Sequence, residues 1–220
     1  MRKKSKKYPP SATFHLTLSV NDFFSRFAEK VSEEIFAKYD SDFKLGEKYA
    51  THITLYLFSA PLKNIDKLIH VAEKIAELIK PKEMKLGKLI LSHDGWLMVD
   101  LKTSGELHEY HKRTVEYFNP LREGLLRKKY RYGSHFASLK DFEKKSLRNY
   151  GDKHAMQLFH PHISIAHFDN ITQAQKVYKK YRDSFVDKSI KITKMELVKV
   201  IGDESGGVGK ILFKHQFTKN

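Results

Sequence analysis

Two short stretches of the sequence place a histidine and a hydroxyl residue two positions apart, with aliphatic residues between them. They are HITL at 52–55 and HISI at 162–165. In a β-strand successive side chains point to opposite faces, so each stretch would hold an imidazole and a hydroxyl on one face and fill a core with the other. Such a strand could be core structure, a metal site or half of an active site.

A zinc site is the alternative that the second stretch raises. His160 and His162 share a strand face, and His167 follows close by. Two histidines spaced in this way can supply two ligands, but a tetrahedral site needs a third and a fourth. The chain has no Cys and no HExxH motif. We therefore expect no metal here.

Both stretches lie in segments that alternate like half-buried strands, and the order of elements around them repeats. The first half of the chain reads strand, helix, strand, helix and hairpin, at 13–20, 24–35, 51–58, 65–79 and 84–102. The second half reads helix, strand, helix and hairpin, at 107–118, 158–168, 174–181 and 190–217. This repeat of pattern places HITL opposite HISI, which makes the pair stronger evidence than either stretch alone.

The organisation predicted from this repeat is an α+β fold in one bilobal domain over residues 1–220. The first half spans about 13–102 and the second 103–220, and no low-complexity linker divides them. A basic tail at 1–10 and a loop insertion at 127–155 complete the chain.

The composition limits the function classes. The 220 residues include 41 Lys and Arg against 26 acidic residues, a formal net charge of +15, which favours polyanions such as nucleic acid. A Lys-rich, soluble surface is the plainer explanation. The absence of Cys excludes disulfides, thiolate zinc sites and Cys nucleophiles. No signal-peptide pattern and no apolar run of membrane-spanning length is present, so we expect a cytoplasmic protein without a membrane partner. We also expect it to act as a monomer.

The paired motifs resemble those of the two-histidine (2H) phosphoesterases, which include the bacterial 2′-5′ RNA ligase-like proteins and the cyclic phosphodiesterases. That family is defined by two His-hydrophobic-Thr/Ser-hydrophobic motifs. The stretch NYGDKHAMQLFHPHISIAHF (149–168) is similar to members with a Tyr-Gly pair before the second motif and Pro before its His. The resemblance covers nearly the whole chain. It implies a bilobal, pseudo-two-fold fold, with two mostly antiparallel sheets, helices outside and a central cleft.

The resemblance also implies roles for the motif residues. His52 and His162 would face each other across the cleft as catalytic residues, with Thr54 and Ser164 binding the phosphate. Phosphodiester cleavage needs a base for the nucleophile and an acid for the leaving oxygen, and imidazole titrates nearest neutrality. Hydroxyl donors would hold the phosphorus in line and stabilise the charge that develops on its oxygens. No metal or cofactor is needed, and which His is the acid stays open.

Three further residues are expected as cleft or substrate contacts, namely Tyr56, His160 and His167. Tyr56 is placed on the face of His52 by strict alternation, where it could stack on a base. His167 stands where many relatives carry Arg. A third copy of the motif, HLTL at 15–18, is assigned to structure, because its counterpart near 96–102 has no histidine.

The basic stretch 127–155 mixes cations with Tyr and Phe, which suits phosphate contacts and base stacking in RNA. A solvated loop with a short helix is an equal alternative, and a flap over the cleft is a third interpretation.

The function expected from these observations is a metal-independent phosphodiesterase acting on RNA or nucleotide ends. Opening of a terminal 2′,3′-cyclic phosphate is the favoured reaction. Cleavage or ligation of a 2′-5′ linkage is the nearest alternative. An RNA-binding module with little turnover and a phosphoesterase acting on a small metabolite also remain open.

Overall fold

The computed structural model describes residues 8–46, 48–102, 105–131, 134–201 and 209–217. Most of the predicted basic tail, and residues 202–208 within the hairpin predicted at 190–217, lie outside these residues. Every strand and helix predicted above is found, with ends that differ by a few residues.

Seven strands are present among the described residues. They are Ser11–Val20 (β1), His52–Pro61 (β2), Glu83–Leu91 (β3), Trp96–Leu101 (β4), His162–His167 (β5), Ser189–Val200 (β6) and Gly209–Gln216 (β7). The helices are Asp22–Tyr39 (α1), Ile65–Leu78 (α2), Gly105–Phe118 (α3), Lys128–Arg131 (α4), Ser134–Ala137 (α5), Asp141–Tyr150 (α6) and Ile171–Tyr181 (α7). None of the helices in the described part of the chain is long and apolar enough to cross a bilayer.

All strand pairs are antiparallel, and the strand order is β2-β1-β6-β3-β4-β5, with β7 also paired to β6. The start of β6, at 189–191, pairs with β3, and the rest of β6 pairs with β1 and β7. Strand β6 therefore joins two groups of strands. We call them the β2 lobe (β2, β1, β6, β7) and the β5 lobe (β3, β4, β5).

Each lobe is built from both halves of the sequence. The C-terminal hairpin β6–β7 completes the β2 lobe, and the hairpin β3–β4 from the first half pairs with β5. The helices are exchanged in the same way, since α1 packs on β5 and α3 packs on β2. The predicted α+β fold is confirmed, and the predicted sheets are continuous with each other through β6.

The two strands that carry the histidine motifs are the end strands of this order. Although β2 and β5 are separated by four other strands in the pairing sequence, they contact each other. The sheet therefore curls until its ends meet, and this brings HITL and HISI together.

The core forms where the alternating strands bury their aliphatic face. In β1, Phe14, Leu16 and Leu18 are fully buried, and Phe14 stacks against Phe58 of β2 with ring centroids 5.8 Å apart. Each such side chain contributes roughly 1.5–3 kcal/mol by leaving water. The opposite face of β1 is left to polar residues, which is why it can line a site.

The stretch 127–155 was predicted to be a loop insertion, and this was wrong, because it contains the helices α4, α5 and α6. Helix α6 begins where Glu143 accepts a hydrogen bond from the Lys140 N–H, and it ends at Gly151 in the left-handed region (φ 75°). Only Ser146 and Leu147 of α6 are buried. A helix with so narrow a buried stripe shows no clear apolar periodicity, which explains the wrong prediction.

A buried arginine fixes this helical stretch to the rest of the fold. The Arg122 guanidinium donates to Asn119 Oδ1 at 3.0 Å and to the carbonyls of Leu125 and Asn149. Gly151 packs directly on it, and a Cβ at that position would lie 2.7 Å from the Arg122 side chain. The Tyr-Gly pair before the second motif therefore has a packing role.

Candidate functional site

The two motif strands carry β-bulges at the same place. In β2, Thr17 pairs with Thr54 and Leu16 pairs with Tyr56, so Leu55 is skipped. In β5, Met98 pairs with Ser164 and Leu97 pairs with Ala166, so Ile165 is skipped. The extra residue follows the hydroxyl residue in both strands, and two consecutive side chains then point into the core. The two motifs thus share backbone geometry as well as residue types.

The motif histidines make matching hydrogen bonds. His52 Nδ1 lies 2.6 Å from the carbonyl oxygen of Ala50, and His162 Nδ1 lies 2.7 Å from that of His160. Because a carbonyl oxygen only accepts, Nδ1 carries the hydrogen in both rings. The second nitrogen, Nε2, is then the atom of each ring that can exchange a proton with a bound molecule.

The electrostatic surroundings of the two histidines differ. Burial lowers the pKa of His52, while its hydrogen bond to Ala50 and the negative charge of Glu196 act in the opposite direction. Burial also lowers the pKa of His162; its hydrogen bond to His160 opposes this, and the positive charges of His160, His154 and His52 lower it further. Burial is thus the largest influence on both rings, and the charged neighbours differ in sign: a carboxylate acts on His52 and only cationic side chains act on His162.

The two hydroxyl residues also have different surroundings. Thr54 Oγ1 lies 2.7 Å from His15 Nε2, whereas Ser164 has no side-chain hydrogen bond to any residue that the structure describes. Both side chains lie on the same strand face as their motif histidine. Thr54 is thus oriented by the protein, and Ser164 is free to turn toward a ligand.

The third copy of the motif, HLTL at 15–18, makes direct contacts with the first motif, HITL at 52–55. His15 was assigned to structure from the sequence, and it is buried as that assignment expects. Its ring also stands edge-on to that of His52, with centroids 5.0 Å apart, and it contacts Thr54 directly. HLTL therefore lies beside the candidate site, because β1 is the neighbour of β2.

Tyr56 does not contact the cleft, and the prediction for it was wrong. The bulge at Leu55 turns Tyr56 to the core face, where its ring stacks on Phe58 with centroids 4.6 Å apart. Its hydroxyl donates to the carbonyl of Tyr150, and burial raises its pKa. Strict alternation placed this side chain on the wrong side of the strand.

His160 lies at the edge of the site. Its side chain is exposed, its Nε2 is 3.3 Å from the Asp100 carboxylate, and its ring centroid is 6.4 Å from that of His162. It lies beside His162, and its predicted contact with a substrate stays a prediction.

His167 has both ring nitrogens engaged within the protein. The bulge at Ile165 returns it to the face of Ser164, where Nδ1 lies 2.7 Å from an Asp42 oxygen and Nε2 lies 2.9 Å from the Asp94 carbonyl. No ring nitrogen is left for a phosphate, which argues against the predicted substrate contact. Among the described residues, one group has ligand atoms close enough together to hold a metal ion, and it consists of Asp42, His167 and Asp169. The ion pair between His167 and Asp42 is sufficient to explain why these side chains lie together.

A buried histidine that the sequence did not single out joins the two motif segments. His111 Nδ1 donates to the carbonyl of Leu55 at 2.7 Å, and His111 Nε2 accepts the Met156 N–H at 2.8 Å. Its ring is stacked on Phe159 at 3.9 Å. The buried face of α3 is the signal that could have found it, since His111 follows Leu107 by one helical turn.

Two charged residues of β6 lie on the same sheet face as the motif residues. Ser19 pairs with both His52 and Lys194, and Thr17 pairs with both Thr54 and Glu196. These two rows place Lys194 and Glu196 two strands from the first motif, about 10 Å away at the usual strand spacing. The two side chains form an ion pair at 3.0 Å. The sequence pattern predicted this strand but not its position beside β1.

A model of the 2′-5′ RNA ligase superfamily matches residues 24–204, which include both motifs. Similar solved structures include E. coli LigT in apo form (11% identity, 95% of this chain and 99% of that chain, TM-score 0.47) and complexed with phosphate (12%, 96% and 99%, 0.46). Another is a phosphoesterase (12%, 94% and 99%, 0.49). No curated protein has a significantly similar sequence.

Proposed function

Since this chain belongs to the 2′-5′ RNA ligase superfamily, and so is an enzyme of the two-histidine phosphoesterase kind, we propose that it opens 2′,3′-cyclic phosphates at the ends of RNA or nucleotides. The observation that carries this proposal is the matched pair of histidines. Each donates Nδ1–H to the carbonyl two residues before it, and each keeps Nε2 for proton transfer. A protein that only bound RNA would have no use for two such rings.

The electrostatics favour one division of roles. The carboxylate of Glu196 supports the protonated form of His52, whereas only positive side chains act on His162. In the proposed reaction His162 is the base and takes a proton from water as the water oxygen bonds to phosphorus. His52 is the acid and gives its proton to the ribose oxygen as the P–O bond to that oxygen breaks.

The hydroxyls of Thr54 and Ser164 are proposed to donate hydrogen bonds to the non-bridging oxygens of the phosphate. Donors fixed before the reaction stabilise the developing charge without reorganising. Lys194, in the row of His52, adds a cation on the same face. The proposal uses no metal and no cofactor.

The basic surface and the absence of Cys suit an RNA substrate in a reducing compartment, the cytoplasm. The protein is proposed to act there as a monomer, away from membranes.

A 2′-5′ phosphodiesterase or ligase is the second candidate, and the superfamily match favours keeping it. It would use the same two histidines, because cleaving or forming that linkage also needs one base and one acid. Loss of activity in the histidine variants would fit both candidates, so only the substrate that is turned over distinguishes them.

The test is a cleavage assay in the presence of EDTA. The parent protein, His52→Ala and His162→Ala each meet an RNA with a 2′,3′-cyclic phosphate end and a 2′-5′-linked oligoadenylate. His70→Ala serves as the control, because His70 is an exposed histidine on α2. Opening of the cyclic phosphate that is lost in both motif variants and kept in the control supports the proposal.

Other results contradict it in distinct ways. Turnover of the oligoadenylate alone would select the second candidate. RNA binding without turnover would select a binding module, and activity abolished by EDTA would show that a metal takes part.

A further inference from the structure

A polar cavity lies on the sheet face that carries the candidate site, apart from the two motifs. Its volume is about 220 Å³, and it is lined by the start of β1, by β2 near its C-terminal end, by α4 and by the end of β6. That volume is far above the ~10–15 Å³ that a single water needs, so the cavity can hold a group of several atoms such as a phosphate.

The position of the cavity follows from the register of β1. Thr13, His15 and Thr17 alternate along one face of the strand, and Thr13 lines the cavity. Thr13 pairs with Ser59, just as Thr17 pairs with Thr54. Four residues of strand separate the two pairs, a distance of about 13 Å. The cavity and the candidate site are therefore two places along one surface, too far apart to hold the same phosphate.

The charge of the cavity is positive. Lys128, Arg131 and Lys199 line it, and no carboxylate does so among the residues that the structure describes. Phosphate oxygens are the common natural partner of clustered Lys and Arg side chains in a polar cavity.

Arg131 is held in place without an acidic partner. Its Nε donates to the Leu126 carbonyl at 2.5 Å, its Nη2 donates to Ser11 Oγ at 3.1 Å, and its guanidinium lies 4.9 Å from the centre of the Tyr8 ring. Within the described ranges no carboxylate forms an ion pair with it. A guanidinium fixed by neutral groups keeps its charge for a ligand, and little of its side-chain freedom is left to lose on binding.

The inner wall adds hydroxyl groups. Thr13 Oγ1 and Ser59 Oγ are 3.1 Å apart, and both residues are buried. One hydroxyl of this pair donates to the other, and a hydroxyl oxygen or hydrogen that turns toward the cavity adds polar character to its wall. The combination of fixed guanidinium, lysines and hydroxyls favours a phosphate group over a base or an aliphatic group.

We propose that this cavity binds a second phosphate of the substrate, about 13 Å along the strand from the reacting one. The substrate is then an oligonucleotide that continues from the reacting end over β1 and β2, and a mononucleotide uses the motif site alone. This inference rests on the proposed function for its catalytic readout, but not for its binding readout.

The catalytic test compares two substrates. One is a 2′,3′-cyclic mononucleotide, and the other is a short single-stranded RNA that ends in the same cyclic nucleotide. In Arg131→Gln and in Lys199→Gln, kcat/KM for the RNA is expected to fall about tenfold, while that for the mononucleotide stays unchanged. Lys179→Gln, on the exposed face of α7, is the matched loss of charge and should change neither value. Equal effects on both substrates, or no effect on either, would overturn the inference.

The binding test works even if the enzyme turns over neither substrate. Binding of the same RNA with a plain 3′-phosphate end is followed by fluorescence anisotropy at several salt concentrations. Loss of one phosphate contact should reduce the slope of log Kd against log salt by about one in Arg131→Gln and not in Lys179→Gln. Identical slopes in the two variants would contradict the inference whatever the reaction is.

Thermal unfolding accompanies both tests. Arg131→Gln also removes hydrogen bonds to Leu126 and Ser11, so a folding defect in that variant would leave the decision to Lys199→Gln. Lys199 lies at the end of β6, and its side chain makes no hydrogen bond or ion pair with any residue that the structure describes, so its replacement should leave the Tm unchanged.

Discussion

His15 Nε2 lies 2.7 Å from Thr54 Oγ1, and the ring of His15 stands edge-on to that of His52. A hydroxyl has a single hydrogen, so the direction of this bond matters. If His15 donates, the hydrogen of Thr54 stays available for a phosphate oxygen. If His15 accepts, that hydrogen is consumed within the protein. The buried His15 can therefore decide whether Thr54 serves as a donor.

The first prediction concerns His15. If His15 is the donor, His15→Phe removes the group that leaves the Thr54 hydrogen available, and kcat for the preferred substrate should fall about tenfold, with a smaller change in KM. His15→Gln places an amide N–H near the position of Nε2 and should recover part of the loss. Steady-state kinetics of the three proteins is the measurement. If the two variants lost activity equally, the hydrogen bond would not be the cause.

The second prediction concerns Glu196 and the pH profile. Burial lowers the pKa of both motif histidines, so the bell-shaped profile of kcat/KM should have its maximum below the ordinary His pKa of about 6.5. Glu196 raises the pKa of His52, and Glu196→Gln removes that support. Because the acid must carry its proton, activity should then be lost at lower pH on the basic side, with the acidic side unchanged.

The matched control for this experiment is Glu77→Gln, an exposed glutamate on α2. It should leave both sides of the profile in place. A shift of the acidic side in Glu196→Gln would mean that His52 is the base and His162 the acid.

The third prediction separates the cost of a positive φ from the cost of a steric clash when a glycine is replaced by alanine. Gly151 and Gly124 both have positive φ, at 75° and 72°, but only Gly151 packs against the Arg122 side chain. Gly124→Ala should cost about 1 kcal/mol of unfolding free energy through its backbone alone. Gly151→Ala should cost clearly more, because its Cβ would meet the buried guanidinium. Urea unfolding of both variants measures the difference, and equal values would contradict the packing role.

The fourth prediction concerns His111 and acid stability. Burial lowers the pKa of His111 in the folded protein, so below about pH 6.5 the unfolded chain binds a proton that the folded chain resists. Stability should therefore fall as the pH drops below 6.5, by up to about 1.4 kcal/mol per pH unit for this one group. Protonation of Nε2 would also remove the acceptor for the Met156 N–H.

The measurement is the unfolding free energy at pH 7.5, 6.5 and 5.5 for the parent and for His111→Asn. The variant keeps a donor toward Leu55 but has no imidazole, so its stability should depend less steeply on pH. Other buried histidines, His52 and His162, act with the same sign in both proteins. Parallel curves would show that His111 does not titrate in this range.

The elements of this fold were predictable from the sequence because most of them follow a simple period. The strand around Phe14 alternates along its whole length, and α2 repeats its apolar residues at helical spacing. The two motifs were found for the same reason, and their position in a repeated order of elements identified the family.

What escaped prediction depends on breaks in the period and on contacts between distant segments. Nothing in the local sequence marks the bulge at Leu55, so Tyr56 was placed on the wrong face. The charged helix α6 lacks a wide apolar stripe. His15 was recognised as a copy of the motif, but its contact with Thr54 joins residues 39 positions apart, and only the pairing of β1 with β2 creates it.

The exchange of hairpins between the lobes has a consequence for synthesis of the chain. The hydroxyl of Thr17 donates to the carbonyl of Glu196, across 179 residues of sequence. At a ribosomal rate of roughly 5–20 residues per second, β1 waits roughly 9–36 seconds for this partner strand. During that time its apolar face and one open edge depend on β2 and on whatever cellular factors shield nascent chains. The first histidine motif is therefore translated early, but the lobe that holds it is completed late.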